Sequence, residues 1–451
     1  FNGPIYCNRA TAELLKVMLP DSGYIQESEV ERKNRKLSRA GKPLLEPIYT
    51  VEDAMNCMEQ LRPLNYDETI ELVPGVQVRL RDAGHILGSS IIELWVEEKG
   101  KQTKIVFSGD LGRDNRPFIK DPSSIESADY IVMESTYGDR FHKSVLNRRE
   151  KLKQVIDRTM RKGGNLIIPA FAVERTQDLI YDLNDLYTRG ELDPTIDIYI
   201  DSPLAIAATE IFKNNTYLYD DETMQFVNSG NHPLNLPNMK YSHSQEESMQ
   251  LNTIKGRAII ISASGMCDAG RIKHHLKHNL WRPESTILFV GFQAMGTLGR
   301  RIVDGENAVT IHGESISIKA EIINMELYSG HADQAGLFSW LKKYTTPPKK
   351  IFLVHGEEKS QQVLGDLIKK ELNIPVVIPR WLEEFKLDPV ETVTASAAAA
   401  QIESAKINDA LQAEELYLQI RSRLNNIFQD CTRTENYAEL TQILKKIDSL
   451  L

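Results

Sequence analysis

The 451-residue sequence predicts a multidomain α/β protein, and three observations carry that reading. A strand-rich block occupies residues 72–134. After it, short apolar runs alternate with amphipathic helical segments, the pattern of a parallel sheet covered on both faces. Histidines and acidic residues gather where the strands end. The length points to two or three domains, because single cores stop growing at about 250–300 residues. Hydrophobic content of 41% and charged content of 26% are those of an ordinary globular chain. No window approaches the ~18 consecutive apolar residues of a membrane span, so no membrane partner is expected. Cys7, Cys57, Cys267 and Cys431 are widely spaced without a CxxC pair. That argues against a disulfide framework or a thiolate zinc site, and for a reducing, cytoplasmic setting. A net charge of −9 does not announce a nucleic-acid binder. Basic runs at 32–42 and 143–162 read on their own as solvated faces.

In chain order, TAELLKVML (11–19) has helical apolar spacing that Pro20 should stop. Thr50 with Asp53 makes a capping-box pattern opening a helix over 51–61. VQVRLRD, IIELWVEE, KIVFSGD and YIVMES follow as strands, with Gly100 between Lys99 and Lys101 as a hairpin turn. REKLKQVIDRTMRKGG is helical and ends at paired glycines. The strand NLIIPAF, the helix RTQDLIYDLNDLY and the strand IDIYIDSP come next, then the apolar runs GRAIIISAS and STILFVGFQ. KKIFLVHGE, QQVLGDLIKKEL and IPVVIP form a last βαβ-like stretch. From Glu391 the composition turns Ala-rich, and Leu440, Ile443, Leu444, Ile447 and Leu451 keep helical spacing. This tail is expected to pack on the body or on a second subunit, which makes a homodimer an expected assembly.

Three of the ten histidines share one context, a strand end followed by a histidine among small residues. They are His85 in AGHIL, His331 in YSGHAD and His355 in LVHGE. A single such histidine reads as a polar turn residue; three of them read as groups placed by a rigid sheet. Asp110 in VFSGDLGRD also follows an apolar strand. Its carboxylate can cap a turn or bridge two metal ions, since it has two oxygens to offer. Histidine with carboxylate and no thiolate suits zinc or a similar ion in a hydrolytic site. Glu134 closes another strand, where it can orient a ligating imidazole or simply cap the turn with Ser135 and Thr136. His274 and His278 have i,i+4 spacing without the glutamate of HExxH, which reads as a solvated helix face or a substrate-side contact.

In order, DAGHILGS, FSGDLGR, ESTYGDRFH, SGHAD and LVHGE closely resemble consecutive motifs of the metallo-β-lactamase-fold nucleases that carry a β-CASP insert. That family includes the cleavage subunit of the eukaryotic mRNA 3′-end processing complex and its bacterial and archaeal relatives. IPAFAVERTQDL, DSPLA, SASGMCDAGRI and GFQAMGTLGRRI likewise resemble the insert. The resemblance spans residues 1 to about 385. It implies an αββα sandwich, N-terminally incomplete, interrupted by an α/β β-CASP domain and followed by a helical tail. The expected division is 1–145 and 326–388 for the sandwich, 146–325 for the insert and 389–451 for the tail.

By the same resemblance, His85 and His355 are zinc ligands, Asp110 bridges two zinc ions, Glu134 matches motif A, and His331 assists at the scissile phosphate or leaving group. The DNA-directed branch usually lacks a histidine at the His355 position, so His355 favours RNA. The family's main metal motif, HxHxDH, occurs nowhere in the 451 residues. The expectation is a chain lacking its N-terminal segment, because five other motifs stand intact; a degenerate, non-catalytic scaffold or RNA-binding subunit is the rival. The activity expected of the complete protein is two-metal phosphodiester hydrolysis, endonucleolytic with added exonuclease activity. Arg175, Ser264, Gly265, Ser329 and Gly330 are the expected substrate contacts, through guanidinium and backbone N–H groups. A small-molecule hydrolase of the same fold is disfavoured by the large insert, which suits a threaded polymer.

Overall fold

The computed structural model describes residues 1–114, 116–142, 148–230, 232–325 and 327–387. Contacts group Phe1–Glu384 into one compact unit and Phe385–Leu451 into another. The Ala-rich stretch and the tail, with any self-association through it, lie outside the described residues. The expected boundaries at 145/146, 325/326 and 388/389 likewise fall on or beside residues outside that set.

Strand β1 (Ile5–Asn8) leads into α1 (Arg9–Arg39), where Asn8 caps the first turn by accepting from the Ala10 N–H at 2.9 Å. The expected stop at Pro20 does not occur, and α1 runs through it. Tertiary packing overrides the lost amide: Ala12 and Leu14 are buried, and a Cβ on Gly23 would stand 2.8 Å from the Thr50 carbonyl oxygen. Thr50 and Asp53 form the expected capping box for α2 (Val51–Cys57). Strand β2 (Leu61–Leu64) then pairs with β1 in parallel.

Strands β3 (Thr69–Val73), β4 (Val76–Asp82), β5 (Ser90–Glu98) and β6 (Lys101–Phe107) form an antiparallel meander. Lys99 (φ 53) and Gly100 (φ 73) make the two-residue turn from β5 to β6, both left-handed as such a hairpin requires. Strand β7 (Tyr130–Glu134) adds in parallel beside β6.

The chain then leaves this sheet. Helix α3 (Arg148–Lys162), β8 (Leu166–Pro169), α4 (Arg175–Thr188), β9 (Asp197–Ile200), α5 (Pro203–Asn214) and α6 (Asp221–Asn228) follow. Next come β10 (Met239–Tyr241), α7 (Gln245–Leu251), β11 (Ala258–Ser262), α8 (Ile272–Asn279), β12 (Thr286–Phe289) and α9 (Leu298–Val303). The hairpin β13 (Ala308–Ile311) and β14 (Glu314–Ser317) precedes β15 (Glu321–Asn324). The order β10-β9-β11-β8-β12-β15 is a six-stranded, all-parallel sheet.

Its strands are apolar on both faces, and the side chains divide with period two. Leu166, Ile168, Ile259, Ile261 and Leu288 join one buried cluster, while Ile167, Ile260, Ile287 and Phe289 join another on the opposite face. Continuous apolar runs are therefore what this sheet needs, since helices cover both sides.

Helix α10 (Gln334–Lys342), β16 (Lys350–Val354), α11 (Glu358–Leu372) and β17 (Val376–Val377) return to the first sheet. It reads β17-β16-β7-β6-β5-β4-β3, and Leu337, Leu341, Leu364 and Ile368 of the two helices pack on Ile131, Met133, Ile351 and Leu353. A loop from the first sheet reaches the other core. Phe118 is fully buried against Tyr181, Phe212 and Tyr219, with centroids 5.7, 5.6 and 4.5 Å away. Cys7, Cys57 and Cys267 are free thiols, and none of the described helices is long and apolar enough to cross a membrane.

Candidate metal centre and its cleft

The side chains expected to do chemistry arrive from the ends of four strands of the seven-stranded sheet and from the loop between β15 and α10. His85 lies just past β4, in a turn that needs glycine at 84. Gly84 has φ +63, and a Cβ there would stand 2.7 Å from the Pro122 nitrogen. The Asp82 carboxylate accepts from the Gly84 N–H at 2.8 Å, and Ser89 Oγ accepts from the His85 N–H at 3.1 Å. Asp110 leaves β6, and Glu134 ends β7. His355 follows β16, whose register sets Val354 opposite Glu134. The Ser135 N–H consequently donates to the His355 carbonyl at 3.2 Å. His331 sits between β15 and α10 and bridges to Gly112, just past Asp110.

These residues converge. Asp110 Oδ2 is 3.8 Å from His85 Nε2, and its Oδ1 is 2.9 Å from His355 Nδ1. The His331 ring lies 4.4 Å from the His85 ring and 5.9 Å from the His355 ring, centroid to centroid. One ligand atom each from His85, Asp110 and His331 falls within 4.8 Å of the other two. The set is nitrogen and carboxylate oxygen without thiolate, a donor chemistry that fits zinc.

Glu134 does both things its position allows. It is 1% exposed, accepts from the Leu111 N–H at 2.6 Å, and so holds the turn that carries Asp110. Its two oxygens also stand 3.2 Å from His331 Nδ1. A carboxylate only accepts, so Nδ1 carries the proton and Nε2 is turned to the cluster.

The electrostatics separate the imidazoles. Burial, the neighbouring His331 and the Arg116 guanidinium push His85 down to about 2, so it is neutral with a lone pair to offer. Burial also works against charge on His331, but the hydrogen bond and charge of Glu134, with Asp110, raise it above the ordinary histidine value. Burial, with Glu134 nearby, raises Asp110 against the pull of His331 and His355.

His85, His331 and His355 line one end of a cleft of about 1190 Å³ between the two sheets. Among the expected substrate contacts, Arg175, Ser264, Ser329 and Gly330 are on its wall. Gly330 lies against the His85 ring, and Gly265 against the Phe171 ring. Arg175 is nearly buried and donates to Asp178 at 2.8 Å, so its guanidinium is held to the wall. Of the helical histidines, His274 and His278 line the cleft, while His275 is buried and its Nε2 lies 2.6 Å from Asp201.

Sequence reasoning missed Arg116 and Glu174. Buried Arg116 donates to the His85 carbonyl at 2.7 Å, to Glu174 at 2.7 Å and to Asp178 at 2.6 Å. Glu174 accepts from the Leu87 N–H at 3.1 Å. The backbone on both sides of the His85 ring is thereby tied to the start of α4. Glu174 stands inside the IPAFAVERTQDL stretch, but its left-handed backbone (φ 70) and its partner 58 positions away leave no sequence signal.

Residues 176–302 match the β-CASP domain family, and residues 315–379 match the Zn-dependent metallo-hydrolase RNA specificity domain. The chain is 33% identical to a ribonuclease of Thermus thermophilus over 368 residues, covering 82% of this chain and 78% of that one. It is 30% identical over 380 residues to an RNase J-like protein of Methanocaldococcus jannaschii, covering 83% and 81%. The transcription termination factor FttA of the same organism is 27% identical over 397 residues, 86% of this chain and 60% of that longer one. With this likeness and the six-stranded domain set between β7 and β16, the chain belongs to the β-CASP family of metallo-β-lactamase-fold proteins.

Proposed function

We propose that the protein is a zinc-dependent ribonuclease that hydrolyses RNA phosphodiester bonds in its cleft, cutting within the strand and, as a further activity, from an end. The observation that carries this reading is the convergence of His85, Asp110, His331 and His355 at one end of a cleft large enough for a polymer. The match to an RNA specificity domain and the likeness to a ribonuclease support RNA as the substrate.

His85, Asp110 and His355 would hold the metal, with Asp110 central because its two oxygens face different histidines. Bound there, two zinc ions would supply Lewis acidity at the phosphate and make water acidic enough to attack near neutral pH. The protein's own part is positional. Glu134 grips His331 Nδ1–H and, with Asp110, favours the doubly protonated ring, so Nε2 can carry a second proton toward the cluster. As the oxygen of a water that has already released one proton to solvent bonds to phosphorus and the bond to the ribose oxygen breaks, His331 Nε2 gives its proton to that leaving oxygen. Ser264, Ser329 and Gly330 meet the phosphate from the cleft wall, and Arg175 adds positive charge from behind its Asp178 pair.

The test is zinc content together with cleavage of single-stranded RNA. Asp110→Asn should lose both bound zinc and cleavage. His331→Ala should keep its zinc and lose about 10²- to 10⁴-fold in rate, the worth of a general acid. Cleavage retained in either variant sinks the role given to that residue, and a full-length protein that binds no zinc leaves only a scaffold.

A further inference from the structure

We propose that the cleft continues beyond the metal centre as a base-stacking track for single-stranded RNA, with Phe171, Phe292 and Tyr24 as its platforms. The proposal rests on the ribonuclease reading and adds how the strand is held. The cleft that the histidines line is also lined by Phe171 and Phe292 and by residues of α1 and α8. Its aromatic rings are conspicuously open to solvent: Phe171 is 43% exposed, Phe292 40% and Tyr24 64%. Large rings left uncovered in a concave wall mark a binding surface.

Their placement is orderly. Phe171 follows β8 and Phe292 follows β12, and these strands are hydrogen-bonded neighbours in the parallel sheet. The two residues thus follow the carboxyl ends of adjacent strands and line the same cleft, at the edge where open α/β sheets take ligands. Phe171 is also backed by main chain, since a Cβ on Gly265 would come within 2.9 and 3.0 Å of its ring atoms. The ring is therefore held against that glycine while part of it stays open to the cleft, a platform in place before any base arrives. Tyr24 of α1 supplies a third ring on the same wall.

Positive charge lies further along the same helix. Beyond Glu27, Glu29 and Glu31, α1 carries Arg32, Arg35, Lys36 and Arg39 on exposed turns, with Lys33 paired to Glu29 at 3.8 Å. Arg32 is near enough to disfavour protonation of His312, whose ring stacks at 4.6 Å on His274 of the cleft wall. Rings for bases followed by cations for phosphates are what a single strand requires, and a duplex would hide its bases from the rings.

The experiment is a cycle between ring and base. Binding of a fluorescent single-stranded RNA of about 12 nucleotides is followed by anisotropy in the zinc-treated full chain, with His331→Ala present to slow cutting while the zinc is kept. Abasic nucleotides are then placed singly along the RNA. Phe171→Ala or Phe292→Ala should weaken intact RNA about tenfold per ring. The same substitution should have little effect on RNA already abasic at the partner position. Phe171→Leu, which keeps the apolar volume, should behave like Phe171→Ala, and Phe171→Trp should restore binding. Ring and base losses that are independent at every position, or full binding by the Leu variant, overturn the track. If the unsubstituted protein neither binds nor cuts RNA, the ribonuclease reading itself fails.

Discussion

Replacing Arg116 with Met should both destabilise the fold and loosen the metal centre. The guanidinium is buried and satisfies three acceptors at once: the His85 carbonyl, Glu174 and Asp178. Asp178 keeps a second cation, Arg175, at 2.8 Å. Glu174 retains the Leu87 N–H and loses its charged partner. One buried carboxylate is therefore left uncompensated rather than two, and the cost should be about 3–5 kcal/mol. Adding Glu174→Gln removes the stranded charge, so the double variant should recover about 1–3 kcal/mol relative to the sum of the singles. Urea midpoints of the four proteins measure that coupling.

The pH dependence sharpens the same prediction. Burial raises Glu174 to about 7 even against the pull of Arg116. A carboxyl group whose folded value lies above its unfolded one binds its proton more tightly when folded, so its contribution falls as pH rises from the unfolded value through the folded one. Without Arg116 the group rises further, so the penalty of Arg116→Met should be full near pH 8 and smaller near pH 5. Zinc affinity, measured by chelator competition, should drop about 10- to 100-fold, the usual cost of losing a group that orients a ligand. A midpoint change below about 1 kcal/mol, or a penalty that grows as pH falls, would falsify the account of Arg116 as the tie between the His85 loop and α4.

Three further outcomes follow from the geometry. Gly84→Ala should displace His85, because φ is +63 and the new Cβ meets the Pro122 nitrogen at 2.7 Å; the readout is reduced zinc retention, and unchanged retention would mean the turn can relax. Phe118→Ala empties a fully buried site among Tyr181, Phe212 and Tyr219 and should cost about 3–5 kcal/mol in a denaturation midpoint, while a loss under 1 kcal/mol contradicts the packing. Asp201 is held down to about 2 because its bonds to His275, Ser248 and Arg271 outweigh burial. Its contribution is full above the unfolded carboxylate value near 4 and is lost as pH falls through 2, so Asp201→Asn should flatten the stability curve between those limits; an equally steep curve refutes it.

The fold was legible wherever one residue pattern had one physical cause. Apolar runs such as AIIIS and TILF can only be buried on both faces, and they became interior strands of the parallel sheet. The Thr50–Asp53 box and the Lys99–Gly100 turn are local devices, complete within four residues, and both formed. Pro20 shows the limit of local reasoning. Its missing amide argues for a helix end, but the burial that carries α1 onward comes from residues around Thr50, which no window over α1 contains. Strands of two to four residues, such as β10, β13 and β17, carry too few side chains for a period to declare itself.

The site divides along the same line. His85, Asp110 and His355 were visible because a strand end marks each separately, whereas His331, expected at a strand end, sits seven residues past β15 in the loop before α10 and is held by its bridge to Gly112. What brings them together is register: β16 lies parallel to β7 with Val354 opposite Glu134, which sets residues about 220 positions apart side by side. The sequence reading left Glu134 as either an imidazole partner or a turn cap. The alternatives were never exclusive, because a carboxylate has more than one lone pair to give. Its Oε1 takes the Leu111 amide that positions Asp110, and both oxygens face His331. Arg175 resolved differently. A guanidinium at the head of a helix facing a cleft suggests a free phosphate contact, yet Asp178, one turn on, holds its Nη1. Three residues of spacing set that pairing, and the deciding fact was burial. Once sealed beside Arg116 and Glu174, Arg175 needed a carboxylate of its own before any substrate arrived.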